Sequence, residues 1–272
     1  MYIKLFVKIA LTVSSAFLML DAAAQPSDTA RVVISQIKMP QLNRERTIRV
    51  FLPAGYGTAN KKYPVIYMHD GQNIFTGNTS FAGSWLVDST VKTFPVKQQA
   101  IIVGIDNDSQ YRMAEYSPYD NKYARTQGDA YVEFIVKTLK PHIDSLYRTK
   151  TAARYTAIAG SSMGGLISMY AAVKYPKVFG VAGVFSPSFW IAPQMYPLVT
   201  NASNGTKQKF FFACGDMEGD NEVGDVLKMD SVLMAKGFNR MQVPNPLVVT
   251  GAKHNEKQWR GEFPVFYKWL IQ

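Results

Sequence analysis

Tyr155-Thr156-Ala157-Ile158-Ala159-Gly160-Ser161-Ser162-Met163-Gly164 opens on an apolar run and closes on a G-x-S-x-G pattern. That order describes a strand feeding a turn so sharp that a serine hydroxyl stands clear of the sheet, a nucleophile elbow. Glycines are needed around the serine because Cβ atoms there would collide. A helix-compatible stretch, Leu166 to Lys174, follows at once. The Met163 N–H then falls at a helix N-terminus, where the dipole favours negative charge. Small-residue turns produce this five-residue pattern by chance, so the flanking strand and helix carry the reading.

Outward from the elbow, apolar runs alternate with helical patterns. Arg31 to Lys38 and Arg46 to Leu52 alternate and are rich in Val and Ile, which predicts two strands joined by a turn at Pro40-Gln41-Leu42-Asn43. Pro64 to His69 and Ala100 to Ile105 read as further strands, the second a continuous apolar run of the buried parallel type. Helical spacing is expected over Phe81 to Thr93 and Tyr131 to Tyr147, and between them Asn107 to Gln127 is polar and without a clear period. A connection of that length is functional or lid-like by default. After the elbow come strands at Val178 to Phe185, Lys209 to Cys214 and Leu247 to Thr250, with helices over Val226 to Lys236 and Phe263 to Ile271. The pattern predicts an α/β domain: a mostly parallel central sheet with helices on both faces and an antiparallel N-terminal edge. Chemistry in such sheets sits at the carboxyl ends of the strands.

The first residues read as a targeting segment. Lys4 and Lys8 precede an apolar stretch from Ile9 to Leu20, and Ala22-Ala23-Ala24 supplies a small-residue cleavage site before Gln25. About 12 apolar residues fall short of the roughly 20 needed to span a bilayer. A signal peptide over residues 1–24 and a single domain over 25–272 are therefore expected, with export to the periplasm or the medium and no stable membrane anchor after cleavage. The chain carries a formal charge of +10, but its longest basic cluster is Lys61-Lys62. No basic helix or aromatic-interleaved patch of the nucleic-acid type is present, which leaves a soluble basic surface as the reading. Cys214 is the only cysteine, so no internal disulfide forms, and its setting Phe210-Phe211-Phe212-Ala213-Cys214 is that of a buried strand.

A serine hydroxyl is a weak nucleophile at neutral pH and needs a base, a task suited to histidine. Of the three histidines, His142 follows Pro141 within a helix and His69 ends a strand, and both read as structural. His254 lies in Gly251-Ala252-Lys253-His254-Asn255, directly after the final core strand. A third residue, an acid, should orient the imidazole. The loop after Cys214, Gly215-Asp216-Met217-Glu218-Gly219-Asp220, offers three carboxylates that position alone does not separate. The order Ser162, acid, His254 is that of α/β-hydrolases. Two N–H donors are needed for an oxyanion; Met163 supplies one, and Gln72, with Gly71 next, is the candidate for the other. Scattered histidines and one buried cysteine give no metal-ligand spacing, and no cofactor is expected.

At this point the residues resemble a known family. Tyr67-Met68-His69-Asp70-Gly71-Gln72-Asn73-Ile74-Phe75 is similar to a characteristic stretch of the esterase D-like or enterochelin-esterase-like α/β-hydrolases. So are Ser84-Trp85, Gly104-Ile105-Asp106-Asn107, Arg112-Met113-Ala114-Glu115-Tyr116-Ser117-Pro118, Pro141-His142-Ile143-Asp144, Tyr147-Arg148-Thr149, and the elbow with its trailing Gly165. The resemblance implies an α/β-hydrolase fold and hydrolysis of carboxylic esters through an acyl-enzyme. It implies Glu218, four positions beyond Cys214, as the acid, with Asp216 and Asp220 still open, and the stretch Gly251 to Trp259 supports His254. The polar segment becomes the substrate loop, with Arg112 and Tyr116 its candidate contacts, although Arg112 and Glu115 also fit a structural pair beside it. Family members act on feruloyl or acetyl groups of plant polysaccharides, on siderophore lactones or on S-formylglutathione. Acyl groups on glycans or small exogenous esters suit an exported enzyme best. Siderophore-ester hydrolysis, acyl transfer on the same triad and non-catalytic carbohydrate binding through the tyrosines of 111–123 are the alternatives.

Overall fold

Val65-Ile66-Tyr67-Met68-His69 is apolar almost throughout because both faces of this strand are covered: Val65 and Tyr67 join one core cluster, Ile66 and Met68 the other. The structure, a computed structural model, describes residues 29–77, 83–203, 207–219 and 221–272. The expected signal peptide and Asp220 lie outside the described residues. The strands are β1 (Arg31–Met39), β2 (Arg44–Leu52), β3 (Val65–His69), β4 (Ile101–Ile105), β5 (Thr156–Ser161), β6 (Val181–Phe185), β7 (Lys209–Gly215) and β8 (Leu247–Val249). They form one sheet in the order β1-β2-β4-β3-β5-β6-β7-β8. Only the pairings of β1 with β2 and of β2 with β4 are antiparallel. The expected α/β architecture, with its antiparallel N-terminal edge, is the one observed.

The helices are α1 (Val87–Lys92), α2 (Arg112–Glu115), α3 (Gly128–Phe134), α4 (Lys140–Leu146), α5 (Met163–Lys174), α6 (Met195–Asn201), α7 (Glu222–Ala235) and α8 (Glu256–Leu270). Residues of α1 and α8 bury Val87, Val91, Trp259, Phe263 and Phe266 against one face of the sheet. On the other face, α3, α5, α6 and α7 bury Tyr131, Leu166, Met195 and Met229. The sheet is thus covered on both sides, and its strand ends are the ground left for a site. No helix among the described residues is long and apolar enough to cross a membrane.

Several boundaries differ from the expectations, each for a local reason. The helix expected over Phe81 to Thr93 exists only as α1; Phe81 and Ala82 lie outside the described residues. Its start is set by Ser84, whose hydroxyl donates to Phe75 O (2.8 Å) and accepts from Leu86 N (3.1 Å), with Leu86 at φ +53°. The helix expected over Tyr131 to Tyr147 is interrupted by a π turn at Ile135–Leu139. Pro141 lacks an N–H and its ring crowds the preceding turn, and a widened turn accommodates it. Helix α8 begins seven residues before the expected Phe263, because Asn255 caps it by accepting from Gln258 N (3.2 Å). Pro264 stands inside it. Helix α6 carries no signal that the sequence reading used.

The polar segment 107–127 was expected to lack regular structure, yet it contains α2. That turn is anchored from below by Glu115, fully buried, whose carboxylate accepts from Arg44 Nη1 and, at both of its oxygens, from Arg46 Nη2, each at 2.7 Å. Arg46 is itself buried, so the pair is compensated only while both members are present. Glu115→Gln removes the charge that Arg46 needs, and a loss of about 3–5 kcal/mol in urea unfolding is the expected outcome.

Candidate active site

Ser162 sits between β5 and α5 with φ +59° and ψ −124°, a region an L-residue rarely enters. Three backbone hydrogen bonds pin it there: its N–H donates to Phe185 O (3.0 Å), and its carbonyl accepts from Leu166 N (3.1 Å) and Ser188 N (3.2 Å). The surrounding glycines are forced by contact. A Cβ on Gly160 would meet Gly164 carbonyl atoms at 2.9 Å, and one on Gly165 would meet Phe185 O at 2.8 Å. The hydroxyl of Ser162 is left beside that of Ser188, 3.3 Å away. Met163 opens α5, so its N–H belongs to the first turn and has no partner within the helix.

The strand ends on either side carry the other candidates. After β7, Glu218 folds its side chain out of solvent while Oε2 meets His254 Nδ1 at 2.7 Å. Its other oxygen, Oε1, accepts from Ser186 Oγ (2.8 Å), from Gly215 N–H and from the Gln258 amide. Burial alone would raise the Glu218 pKa, but the hydrogen bonds from His254, Gly215, Gln258 and Ser186 outweigh it and hold the carboxyl below its usual range. Asp216 is exposed and accepts the Gly251 N–H at 2.7 Å, so it braces the loop that bears His254. Trp259 stands edge-on to the His254 ring, 5.1 Å between centroids.

After β3, Asp70 adopts φ +56° and heads the single 3-10 turn Gly71–Asn73. A Cβ on Gly71 would lie 2.7 Å from both Gly104 C and Asp106 Oδ1, so only glycine lets this turn press against β4. Arg112 grips both oxygens of Asp70 (2.8 Å each) and Asn107 Nδ2 adds a third contact at 2.6 Å. Burial opposes the Asp70 charge, but the Arg112 cation and these hydrogen bonds prevail and lower its pKa. Gln72 uses its side-chain oxygen to hold Asn107 N–H at 3.0 Å.

Two expectations about the polar segment need correction. Arg112 does not pair with Glu115: the two leave the single turn of α2 in different directions, one to Asp70 and the other to Arg44 and Arg46. Tyr116 does not line the surface of a loop: it is fully buried, and its hydroxyl accepts the Asp70 N–H at 3.2 Å. It supports the site from behind. His69 is buried, as expected of a structural residue, with Nδ1 2.8 Å from Tyr131 Oη. Burial drives its pKa down to about 3, so its ring is neutral. His142 is exposed on α4. Cys214 is buried and its thiol is pushed up to about 12 by burial, with nearby carboxylates adding to the shift.

Ser162 and His254 line one cavity of about 250 Å³, together with Asp70, Arg112, Asn107 and Glu256. Trp85 and Trp259 form its apolar side, their rings 5.6 Å apart. Sequence reasoning missed Asp70, Asn107 and Glu256 as lining groups. All three fall inside stretches that carry the family resemblance, Glu256 within Gly251 to Trp259, but nothing local marks them as facing a cavity. Among the described residues, no group of three or more His, Cys, Asp or Glu is placed to hold a metal ion.

Comparison with known proteins agrees with this architecture. A family model described as "Putative esterase" matches residues 39–269. An uncharacterized protein of Bacillus subtilis, YbbA, is 24% identical over 242 residues, covering 83% of this chain and 92% of its own length. An endo-1,4-beta-xylanase/feruloyl esterase of Xylanibacter ruminicola is 24% identical over 223 residues, which are 79% of this chain but only 28% of that larger protein. The crystal structure of the enterobactin esterase FES from Shigella flexneri superimposes with a TM-score of 0.67 at 18% identity, covering 93% of this chain and 63% of that one. At that identity the superposition speaks for the fold, an α/β-hydrolase fold. Because the family match spans nearly all of the described chain, the protein belongs to the esterase family and is a carboxylic ester hydrolase.

Proposed function

We propose that the protein is an exported serine esterase whose triad is Ser162, Glu218 and His254. The observation that carries the reading is the Glu218–His254 contact of 2.7 Å at the rim of the cavity that also holds the elbow serine. With Nδ1 engaged by the carboxylate, Nε2 is the nitrogen left to take the proton of Ser162 as its oxygen attacks the ester carbonyl. The negative charge that develops on the carbonyl oxygen is met by the N–H of Met163 and by that of Gln72, with Gly71 the alternative donor. His254 then returns the proton to the departing alcohol. Water, activated by the same imidazole, releases the acid from the acyl-enzyme. Glu218 stays ionised throughout and stabilises the imidazolium.

A cavity of about 250 Å³ suits a compact acyl group, and the Trp85–Trp259 side gives it an apolar face. Arg112 is held by Asp70, which makes that wall a fixed polar surface rather than a free cation. With the feruloyl esterase relative as support, acyl groups on glycans or small exogenous esters are the favoured substrates. Export rests on the charged, apolar and small-residue layout of residues 1–24.

Replacing Ser162 by Ala should abolish turnover of a short p-nitrophenyl ester by roughly 10⁴–10⁶. A variant that keeps more than about a tenth of the rate would count decisively against the triad. Comparing acetyl, feruloyl, medium-chain and catecholate esters by kcat/KM should favour acetyl or feruloyl esters; a catecholate preference would point to siderophore hydrolysis instead. Protein recovered outside the cytoplasm should begin at Gln25 on N-terminal sequencing, and an intact Met1 in that fraction would contradict cleavage.

A further inference from the structure

Behind Glu218 lies a second layer of polar groups that the triad itself does not use. Trp259 Nε1 donates to Ser186 Oγ at 2.8 Å, which turns the Ser186 hydroxyl proton toward Glu218. Gln258, one residue earlier on α8, presents its amide NH₂ to the same Glu218 oxygen. Glu262 follows four residues later, on the same face of the helix. It is 1% exposed, and neither of its carboxylate oxygens has a hydrogen-bond partner. The Gln258 Oε1 is buried and unpartnered as well. Three acceptor oxygens one helical turn apart thus lack a donor, and no cation pairs with Glu262 among the described residues. A buried polar atom left unpaired costs roughly 1–3 kcal/mol, and an unpaired buried charge costs more.

One proton resolves this arrangement. We infer that Glu262 is a positioning residue: as a neutral carboxylic acid it donates a hydrogen bond to Gln258 Oε1, locking the carboxamide so that its NH₂ faces Glu218 and holds that carboxylate against His254. The inference rests on the serine-triad reading for its kinetic consequence, but the state of Glu262 is independent of it. Burial, reinforced by the Glu218 charge and opposed by the Gln258 amide, pushes Glu262 up to about 8. The charge that acts on it directly is that of Glu218; Cys214 on β7 feels Glu262 together with Glu222, Glu218 and Asp216, and Lys253 and Lys257 line the same surface cavity as Glu262. Glu222 is also pushed to about 8, by burial first and then by Glu218 and Asp225, so it must be controlled for. Below about 8 the acid is protonated and the chain Glu262–Gln258–Glu218–His254 is intact. Above it, a second carboxylate faces Glu218 and the Gln258 amide loses its anchor.

The test combines carboxyl ¹³C NMR titration of glutamate-labelled protein with kinetics of three variants. The signal lost in Glu262→Gln should titrate near 8 in the wild type. Titration of that signal near the ordinary value of about 4.3 would overturn the inference, whatever the enzyme's activity. Glu262→Met, which keeps the bulk but offers no donor, should lower kcat by about tenfold with KM unchanged. Glu262→Gln, whose NH₂ can still donate to Gln258, should restore kcat and extend its plateau past the alkaline fall of the wild type. Glu222→Gln should leave that fall in place. A Glu262→Met enzyme with wild-type kcat, or an alkaline limb removed by Glu222→Gln but not by Glu262→Gln, would defeat the proposal. Turnover that survives Ser162→Ala would instead sink the triad reading alone.

Discussion

The conformation of Ser162 depends on three pieces of chain approaching more closely than side chains allow. Strand β5, the first turn of α5 and the end of β6 meet at Gly160, Gly164, Gly165 and Phe185 O, and the serine takes the strained geometry left over. Residues held in such regions cost of order 1–3 kcal/mol each and persist only where the surroundings over-determine them. Here the over-determination is visible as three backbone hydrogen bonds to a single residue. Among the described residues, five non-glycines have positive φ, and three of them, Asp70, Ser162 and Ser186, stand at consecutive strand ends around the cavity. The strain is therefore concentrated at the strand ends beside the candidate site, and the two-sided burial of the sheet is what sustains it.

The acids around this crest are sorted by their surroundings rather than by their type. Asp70 and Glu218 are buried yet ionised, because each has a full set of donors: a guanidinium and an amide for one, a backbone N–H, a hydroxyl, an amide and an imidazole for the other. At Glu222 and Glu262 burial prevails, and both are pushed the opposite way. Pairs of neighbouring groups driven apart in this manner are a mark of acid–base sites. A chain with a net charge of +10 nevertheless lines this cavity with Asp70 and Glu256 and with no lysine.

What was legible in the chain follows from how local each cause is. The buried strands announce themselves through unbroken apolar runs, so β3, β4, β5 and β7 fall within two residues of their expected bounds. Ser162 and His254 stood out as candidates because a tight turn and a post-strand loop leave local marks. The Arg112–Asp70 and Glu115–Arg46 pairs were not, since each joins residues more than forty positions apart and nothing near Arg112 says which acid it will meet. The π turn before Pro141 was hidden for a different reason: proline disrupts a helix in several ways, and the packing on either side selects among them. The proton inferred on Glu262, likewise, depends on how deeply the folded state buries its carboxyl, which no local pattern in the sequence marks.

A Cβ on Gly215 would come within 2.3 Å of Ala252 O and 2.5 Å of Gln258 Oε1, so the end of β7 is pressed directly onto the segment that bears His254. Glu218 and His254 thus ride on one mechanical unit, clamped backbone to backbone, while Ser162 rides on another across β6. Relative motion at this crest would open the gap between serine and imidazole long before it parted the imidazole from its carboxylate. In the proposed triad, the adjustable joint is then the proton-transfer step itself.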